Sequence, residues 1–218
     1  MKRVLYLGTD PTQFAAQGHF DGHLIHYPVI QIVPKSPFAP ELMLAYDDLK
    51  EYTHLIFTSK NAVQIFFRHL SELNLSNAIL TDKTLIAIGA VTAAHLKAQG
   101  TPASHIAQQE SQEGLVQLLN QLDIEDSYFF LPRSALSRPV LIQYFIQREI
   151  RFQACDLYDT KTFKSAPAPE LKEIDEIVFT SPSTVKGFIE IYGGLPQGKK
   201  LLAIGPITEN ALREIYSS

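Results

Sequence analysis

Two copies of the sequence Phe-Thr-Ser, at Phe57–Ser59 and Phe179–Ser181, each follow a short apolar run and precede apolar residues at helical spacing. This pattern predicts a buried strand that turns directly into an α-helix, with Ser59 and Ser181 as N-caps. The free amides and the positive dipole end of such a helix start bind anions. The chemistry that these residues suit is therefore the binding of an anionic ligand.

A second sequence, Ile-Gly-x-x-Thr, is also present twice, at Ile88–Thr92 and Ile204–Thr208. Each copy predicts another strand end that leads into a helix, so the repeats offer four helix starts for anion binding. Arg133 and Arg138 can add positive charge or pair with a carboxylate through two parallel hydrogen bonds. The candidate substrate ligands at the helix starts are Ser59, Lys60, Asn61, Gly89, Thr92, Ser181, Ser183, Gly205 and Thr208.

The repeated strand–helix units indicate two similar α/β domains rather than a solenoid. Residues 35–40 and 159–169 are the predicted linkers between them. Residues 41–158 contain five predicted strands with helices between them, which is typical of a doubly wound parallel sheet. Residues 170–218 contain only two predicted strands, so we expect these strands to join those of residues 1–27 in a discontinuous first domain.

Individual elements near the candidate residues are also predicted. A strand covers Ser127–Leu131 and ends at Pro132, ahead of Arg133, and a helix follows over residues 139–149. Near the N-terminus, a short helix is predicted over residues 12–20.

The composition places the chain among globular cytoplasmic proteins. Its 218 residues suit one or two domains, and an apolar share of 45% is ordinary for that class. No apolar run approaches the roughly 18 residues that a membrane span needs. The single cysteine, Cys155, fits a reducing cytoplasm. A net charge of −4 without a basic run argues against a nucleic-acid partner.

The order and spacing of the repeated motifs are more specific than any motif alone. Together with Ser111–Leu115 and Leu157–Thr160, the two Phe-Thr-Ser and two Ile-Gly-x-x-Thr copies resemble the uroporphyrinogen-III synthase family. The resemblance covers most of the chain, from about residue 24 to residue 212.

The resemblance implies two flavodoxin-like domains, each a doubly wound parallel sheet, joined by a two-stranded β-ladder. The family usually continues past the second Ile-Gly-x-x-Thr helix with another strand and helix, so domain one is expected to be shortened at its C-terminal end. The implied boundaries are residues 1–30 and 162–218 for domain one, 36–156 for domain two, and 28–35 with 152–162 for the ladder.

The resemblance also implies an activity. The family cyclises hydroxymethylbilane, a linear tetrapyrrole, to uroporphyrinogen III, inverts the last pyrrole ring through a spiro intermediate, loses water, and uses no cofactor or metal. By the same resemblance, Tyr158 is the best candidate general acid. Thr92 and Thr208 match family threonines that should contact substrate carboxylates, and Ser59 and Ser181 match the family serines. We expect a cytoplasmic monomer that acts on a small molecule.

Each candidate residue also has a purely structural interpretation. The four hydroxyl residues of the repeats can be helix caps without any ligand, and the three cations can be solvated surface residues. Tyr158 can be an aromatic residue that is half-buried in a ladder strand. The loop Gly8–Pro11 departs from the family, which often has Thr-Arg-Pro there, so this loop lacks the family arginine.

Other functions stay open. A non-enzymatic, two-lobed binding protein for a small polyanion would use the same helix starts, but it would tolerate Tyr158→Phe. A zinc site is the second alternative, because His19, Asp21, His23 and His26 lie close together. Alternation along a strand would nevertheless place His23 and His26 on opposite faces. A receiver-like module would need paired acids after the first strand, where only Asp10 is present, and no nucleotide-binding glycine motif is present.

Overall fold

A computed structural model describes residues 1–16, 18, 22–165 and 167–216. Its contacts divide the chain into two compact units, unit 1 (Met1–Ile32 with Thr160–Ser218) and unit 2 (Val33–Asp159). No helix in these described ranges is both long and apolar enough to cross a membrane.

Strands are mostly followed by helices along the described chain. Residues 17 and 19–21 lie outside the described residues, so only the first part of the helix predicted over residues 12–20 is seen. In chain order the elements are β1 (Arg3–Tyr6), α1 (Thr12–Ala16), β2 (His23–His26), β3 (Ile30–Pro34), α2 (Pro40–Asp47), β4 (His54–Phe57), α3 (Lys60–Glu72), β5 (Thr84–Ala87), α4 (Ala90–Ala98), β6 (His105–Ile106), α5 (Gln112–Leu119), β7 (Tyr128–Ser134), α6 (Val140–Gln147), β8 (Arg151–Thr162), β9 (Glu176–Phe179), α7 (Pro182–Tyr192), β10 (Lys200–Ala203) and α8 (Pro206–Tyr216).

Unit 1 contains a four-stranded sheet in the order β10-β9-β1-β2, and its strands are parallel. The two central strands, β1 and β9, have buried apolar residues on both faces because both faces of the sheet are covered. Leu5 belongs to a core with Val185 and Phe188 of α7, whereas the next residue along the strand, Tyr6, packs with Phe14 of α1. Alternation along each strand therefore supplies two cores from one sheet.

Unit 2 contains a six-stranded sheet in the order β3-β8-β7-β4-β5-β6. The pairs β4–β5, β4–β7, β5–β6 and β7–β8 are parallel. On one face, Phe129 packs with Phe145 of α6, with the ring centroids 4.7 Å apart. On the other face, Phe57 meets Phe66 of α3 at 5.3 Å. The chain is thus an α/β protein with parallel sheets, as the sequence predicted.

Strand β7 is longer than the sequence indicates. The predicted end at Leu131 is wrong, because the strand continues through Pro132 to Ser134 beside β8. Pro132 lies beyond the residues of β7 that pair with β4, so its missing N–H costs no ladder bond on that side. A register shift then occurs between Arg133 and Ser134, where Ser134 comes to lie opposite Tyr158. This irregularity positions two of the side chains discussed below.

Candidate active site

The candidate ligands of unit 2 lie at one edge of its sheet. Ser59 follows β4, Gly89 follows β5, and Ser134 ends β7. Because these strands are parallel, all three residues lie at the carboxyl edge, where open α/β sheets bind ligands.

Tyr158 and Ser59 form a hydrogen-bonded pair at this edge. The Tyr158 hydroxyl oxygen is 2.9 Å from Ser59 Oγ, and Asn61 and Ser134 are further polar neighbours of the phenol. Burial raises the pKa of Tyr158, and its polar neighbours Ser59, Ser134 and Asn61 oppose that shift. The side chain is only 4% exposed. Tyr158 therefore stays protonated at neutral pH, and a ligand meets its proton more readily through Ser59 than directly.

Ser59 has the bonding capacity for this role. It is the N-cap of α3, and its Oγ accepts a hydrogen bond from the Ala62 amide at 3.0 Å. A serine hydroxyl has one proton and two acceptor positions. When Tyr158 donates the second bond, both acceptor positions of Ser59 are used and its own proton can be donated to a ligand. The predicted N-cap is thus also a possible proton relay.

Helix α4 begins at a glycine that touches a carboxylate. The Ala90 amide donates a hydrogen bond of 2.9 Å to Glu110 Oε1. A Cβ atom at Gly89 would overlap the carboxyl carbon and Oε1 of Glu110. The backbone at Gly89 is extended, so glycine is required here for close approach and not for an unusual φ. Two residues on from Ala90, Thr92 is 4% exposed, and within the described ranges its hydroxyl has no hydrogen-bond partner.

Both candidate arginines hold carboxylates of the chain itself. Arg133 donates from Nε to Asp156 Oδ1 at 2.9 Å. Arg138 donates two bonds of 2.7 Å to the Glu113 carboxylate, and this pairing lowers the pKa of Glu113 to about 2. Together with Thr58, the two arginines line a cavity of about 10 Å³, the space that one water molecule needs. Both candidate arginines are therefore already paired with carboxylates of the chain.

The remaining candidates of unit 2, Lys60 and Asn61, open α3. Both side chains are partly buried. Burial lowers the pKa of His95, and the positive charge of Lys60 lowers it further, so Lys60 lies near α4. The structure thus brings the predicted residues of unit 2 to one edge of one sheet.

In unit 1, helix α7 is capped entirely by its own residues. Ser181 Oγ accepts from the Thr184 amide, and Thr184 Oγ1 in turn accepts from the amides of Thr180 and Ser181. Thr184 is fully buried, whereas the neighbouring Ser183 is partly exposed. The Thr184 amide of α7 is therefore satisfied by Ser181, which serves here as a cap.

Helix α8 has a more open start. Gly205 has a φ of +87°, a left-handed conformation that favours glycine, and no atom lies within 4 Å of the position that a Cβ would take. Thr208 is 3% exposed, and no residue of the described chain hydrogen-bonds to its hydroxyl. The second Ile-Gly-x-x-Thr sequence thus reproduces the buried threonine of α4, whereas no side-chain carboxylate of the described residues accepts from the first amides of α8.

Two of the four candidate zinc ligands lie outside the part of the chain that the structure describes. His19 and Asp21 lie outside the described residues. The Nε2 atom of His26 donates to the Gly8 carbonyl oxygen at 2.8 Å, because a carbonyl can only accept. Among the residues that the structure describes, no cluster of three or more His, Cys, Asp or Glu side chains is arranged to hold a metal.

The family model of uroporphyrinogen-III synthase HemD matches residues 13–216. The chain belongs to the uroporphyrinogen-III synthase family. It is 28% identical over 199 residues to the porphyrin biosynthesis protein HemD of Ruminiclostridium josui, a match that covers 87% of this chain and 39% of that protein. It is also 28% identical over 179 residues to the uroporphyrinogen-III synthase of Chlorobaculum parvum, with coverage of 77% and 72%.

The fold agrees with this family. A crystal structure of a mutant uroporphyrinogen III synthase from Thermus thermophilus matches with a TM-score of 0.68 at 20% identity, and it covers 99% of this chain and 90% of that one. The Helicobacter pylori uroporphyrinogen-III synthetase matches with a TM-score of 0.67 at 18% identity, with coverage of 98% and 89%. At these identities the structures support the fold alone.

Sequence reasoning missed several residues of the candidate site. Glu110, Glu113 and Asp156 occupy anion-binding groups, and Ser134 supports Tyr158. An acidic residue in a loop gives no local signal of the partner that it will reach. Thr184 could have been found, because a serine followed three residues later by a polar side chain is a capping-box pattern.

Proposed function

We propose that this chain is a uroporphyrinogen-III synthase, which cyclises hydroxymethylbilane to uroporphyrinogen III with loss of water and inversion of the last pyrrole ring. The observation that carries the proposal is the family match over residues 13–216. The carboxylate-binding groups of unit 2 and the protonated phenol beside them are the chemistry that this substrate needs. The reaction is part of tetrapyrrole and haem biosynthesis.

The acetate and propionate groups of the bilane are expected to bind at the starts of α4 and α8. Thr92 and Thr208 are both nearly fully buried and, among the described residues, have no side-chain hydrogen bond. A ligand carboxylate can therefore accept their hydroxyl protons and those of the nearby amides, with support from the helix dipole. Gly205 leaves the approach to α8 open.

The arginines provide further carboxylate sites. The two parallel bonds between Arg138 and Glu113 have the geometry that a substrate carboxylate would adopt on the same guanidinium group. Arg133 makes a single bond to Asp156 and lines the same small cavity as Arg138. Lys60, Asn61, Ser181 and Ser183 are proposed to complete the substrate ligands.

The first chemical step is the loss of the bilane hydroxyl group. A pyrrole nitrogen pushes its electron pair towards the hydroxymethyl carbon, the C–O bond breaks, and the oxygen leaves as water with a proton from Ser59. Tyr158 returns a proton to Ser59 along their 2.9 Å hydrogen bond. A proton released from the pyrrole at ring closure restores the phenol, so no proton is consumed overall. General acids of this kind accelerate a step by about 10²–10⁴-fold.

The carbocation formed in this step is reactive, so the protein has mainly to hold the chain in the right shape. Carboxylates fixed at several helix starts restrict the tetrapyrrole, which lets the correct pyrrole carbon attack. In this proposal the enzyme is a cofactor-free lyase and needs no metal. It works as a cytoplasmic monomer, in keeping with its single, buried Cys155. Its units are flavodoxin-like domains linked by strands β3 and β8.

A coupled assay tests the function. Hydroxymethylbilane is generated in situ, the protein is added, the products are oxidised, and the type I and type III porphyrin isomers are separated. The bilane closes to type I by itself, so the uncatalysed background is measured in the same sample. Protein-dependent formation of type III is the expected result. If only type I forms although uroporphyrinogen binds, the chain is the non-enzymatic polyanion-binding protein instead.

A further inference from the structure

The start of helix α4 is occupied by a carboxylate that belongs to the protein. We propose that Glu110 is an internal competitor, which fills a substrate carboxylate site at Gly89 and Ala90 and must swing away when the substrate binds. Glu110 would then set how tightly this site holds its ligand. The inference deepens the proposed function, on which it rests for the identity of the natural ligand.

The first argument is the fit between the carboxylate and the backbone. Glu110 Oε1 accepts from the Ala90 amide at 2.9 Å, and the same carboxyl group lies where a Cβ of residue 89 would be. Any residue other than glycine at position 89 would exclude a carboxylate from this position. The helix start thus has both the donor and the space that a carboxylate requires.

The second argument is the threonine in the same turn of α4. Thr92 is 4% exposed, and inside the described ranges its hydroxyl group has no hydrogen-bond partner. No fully buried side-chain oxygen or nitrogen of the described residues lacks a partner, so the small exposed part of Thr92 includes its hydroxyl oxygen. A hydroxyl group that the protein leaves without a partner has its proton available to donate to a ligand. Glu110 satisfies the Ala90 amide and leaves Thr92 without a bond, as expected of an incomplete substitute for the true ligand.

The third argument is a comparison within the chain. The repeat-related start of α8 also has a glycine and a buried threonine, but among the described residues no side-chain carboxylate accepts from its first amides. A carboxylate is therefore not needed for a helix of this sequence pattern to form. Glu110 is exposed, so its side chain can leave the α4 start without opening the core.

The expected size of the effect follows from competition. When a site is available for only a fraction of the time, the apparent dissociation constant rises by the inverse of that fraction. If Glu110 fills the site for at least half of the time, its removal tightens binding by at least about two-fold. Glu110→Gln should give a smaller gain, because a neutral amide oxygen can still accept from Ala90 but more weakly.

The test follows the Ala90 amide by nuclear magnetic resonance in the ¹⁵N-labelled full chain. Butane-1,2,3,4-tetracarboxylate is titrated into the wild type, Glu110→Ala and Glu110→Gln, and a second titration uses uroporphyrin III. Glu125→Gln is the matched control, because it removes one exposed negative charge from unit 2 ahead of β7, at the opposite edge of the sheet. Glu110→Gln retains the shape of the side chain if Glu110→Ala should fail to fold.

The proposal predicts that Ala90 shifts in free Glu110→Ala and is shifted back by the tetracarboxylate. The dissociation constant at Ala90 should be lower than that of the wild type, while Glu125→Gln should match the wild type. Equal constants in the wild type and Glu110→Ala, or no response of Ala90 in any variant, would overturn the proposal and leave Glu110 as a simple cap. Because the tetracarboxylate is not a substrate, this result is independent of whether the coupled assay yields type III porphyrin.

Discussion

Replacement of Tyr158 by phenylalanine removes one hydroxyl group and retains a ring that is only 4% exposed. The loss costs the 2.9 Å bond to Ser59. Ser59 keeps its bond from the Ala62 amide, and as a partly exposed residue it can bind water instead. We therefore expect a stability loss of about 1 kcal/mol, which is typical of one hydrogen bond. The variant should fold.

The effect on catalysis should be much larger than the effect on stability. If Tyr158 supplies the proton through Ser59, its loss removes a general acid worth about 10²–10⁴-fold. Water can partly replace the phenol beside Ser59, so we expect a fall in kcat of about 10²-fold, or about 2.7 kcal/mol of barrier. KM should change little, because the phenol is not proposed to hold a substrate carboxylate.

The coupled assay measures this loss as the rate of type III isomer formation at saturating bilane. The matched control is Tyr52→Phe, which removes the hydroxyl of a tyrosine that is 1% exposed and donates to Gln153 at 2.7 Å. Tyr52 precedes β4 and so lies at the opposite edge of the same sheet. A Tyr158→Phe variant with a kcat within about two-fold of the wild type would refute the acid role, since a general acid is worth far more. An equal loss in both variants would show a structural effect only.

Three further predictions follow from the caps, the buried histidine and the helix glycine. Ser59→Ala and Ser181→Ala should each lower the free energy of unfolding by about 1 kcal/mol in urea titrations, because each removes a helix cap. Only Ser59→Ala should slow type III formation strongly. Equal rates of type III formation in the two variants would contradict the proton relay through Ser59. Burial lowers the pKa of His69, whose Nε2 donates to the Lys35 carbonyl while Nδ1 accepts from Tyr46. As the pH falls through the ordinary pKa of 6.5, the unfolded chain therefore protonates His69 while the folded chain does not. The free energy of unfolding should consequently decrease as the pH is lowered from 7.5 to 5.5, by up to about 1.4 kcal/mol per pH unit. His69→Leu should remove the contribution of His69 to the pH dependence of stability. Urea midpoints of the wild type that do not change across this pH range would contradict the prediction. Gly89→Ala should displace Glu110 and also block a ligand carboxylate, because the added Cβ fills the carboxylate position. Uroporphyrin should therefore bind more weakly to this variant, which is the opposite of the effect expected for Glu110→Ala. Tighter binding would show that residue 89 does not face the ligand.

The sequence by itself determined the local features of this protein. Apolar runs that end in Phe-Thr-Ser predicted strands followed directly by helices, and the structure has Ser59 and Ser181 as N-caps of α3 and α7. Such features depend on residues three or four positions apart, so side-chain size and hydrogen-bonding capacity are sufficient to predict them. The repeated motifs also identified the family, because their order is preserved along the chain.

Tertiary structure alone decided which side chains meet at the candidate site. Ser59 and Tyr158 are 99 positions apart, Arg138 and Glu113 are 25 apart, and Ala90 and Glu110 are 20 apart. The Ser59–Tyr158 pair depends on a strand order that places β7 between β4 and β8, and on the register shift that brings Tyr158 opposite Ser134. The continuation of β7 through Pro132 was missed for the same reason. Whether a proline interrupts a ladder depends on which neighbouring strand it faces, and only the packed sheet determines that.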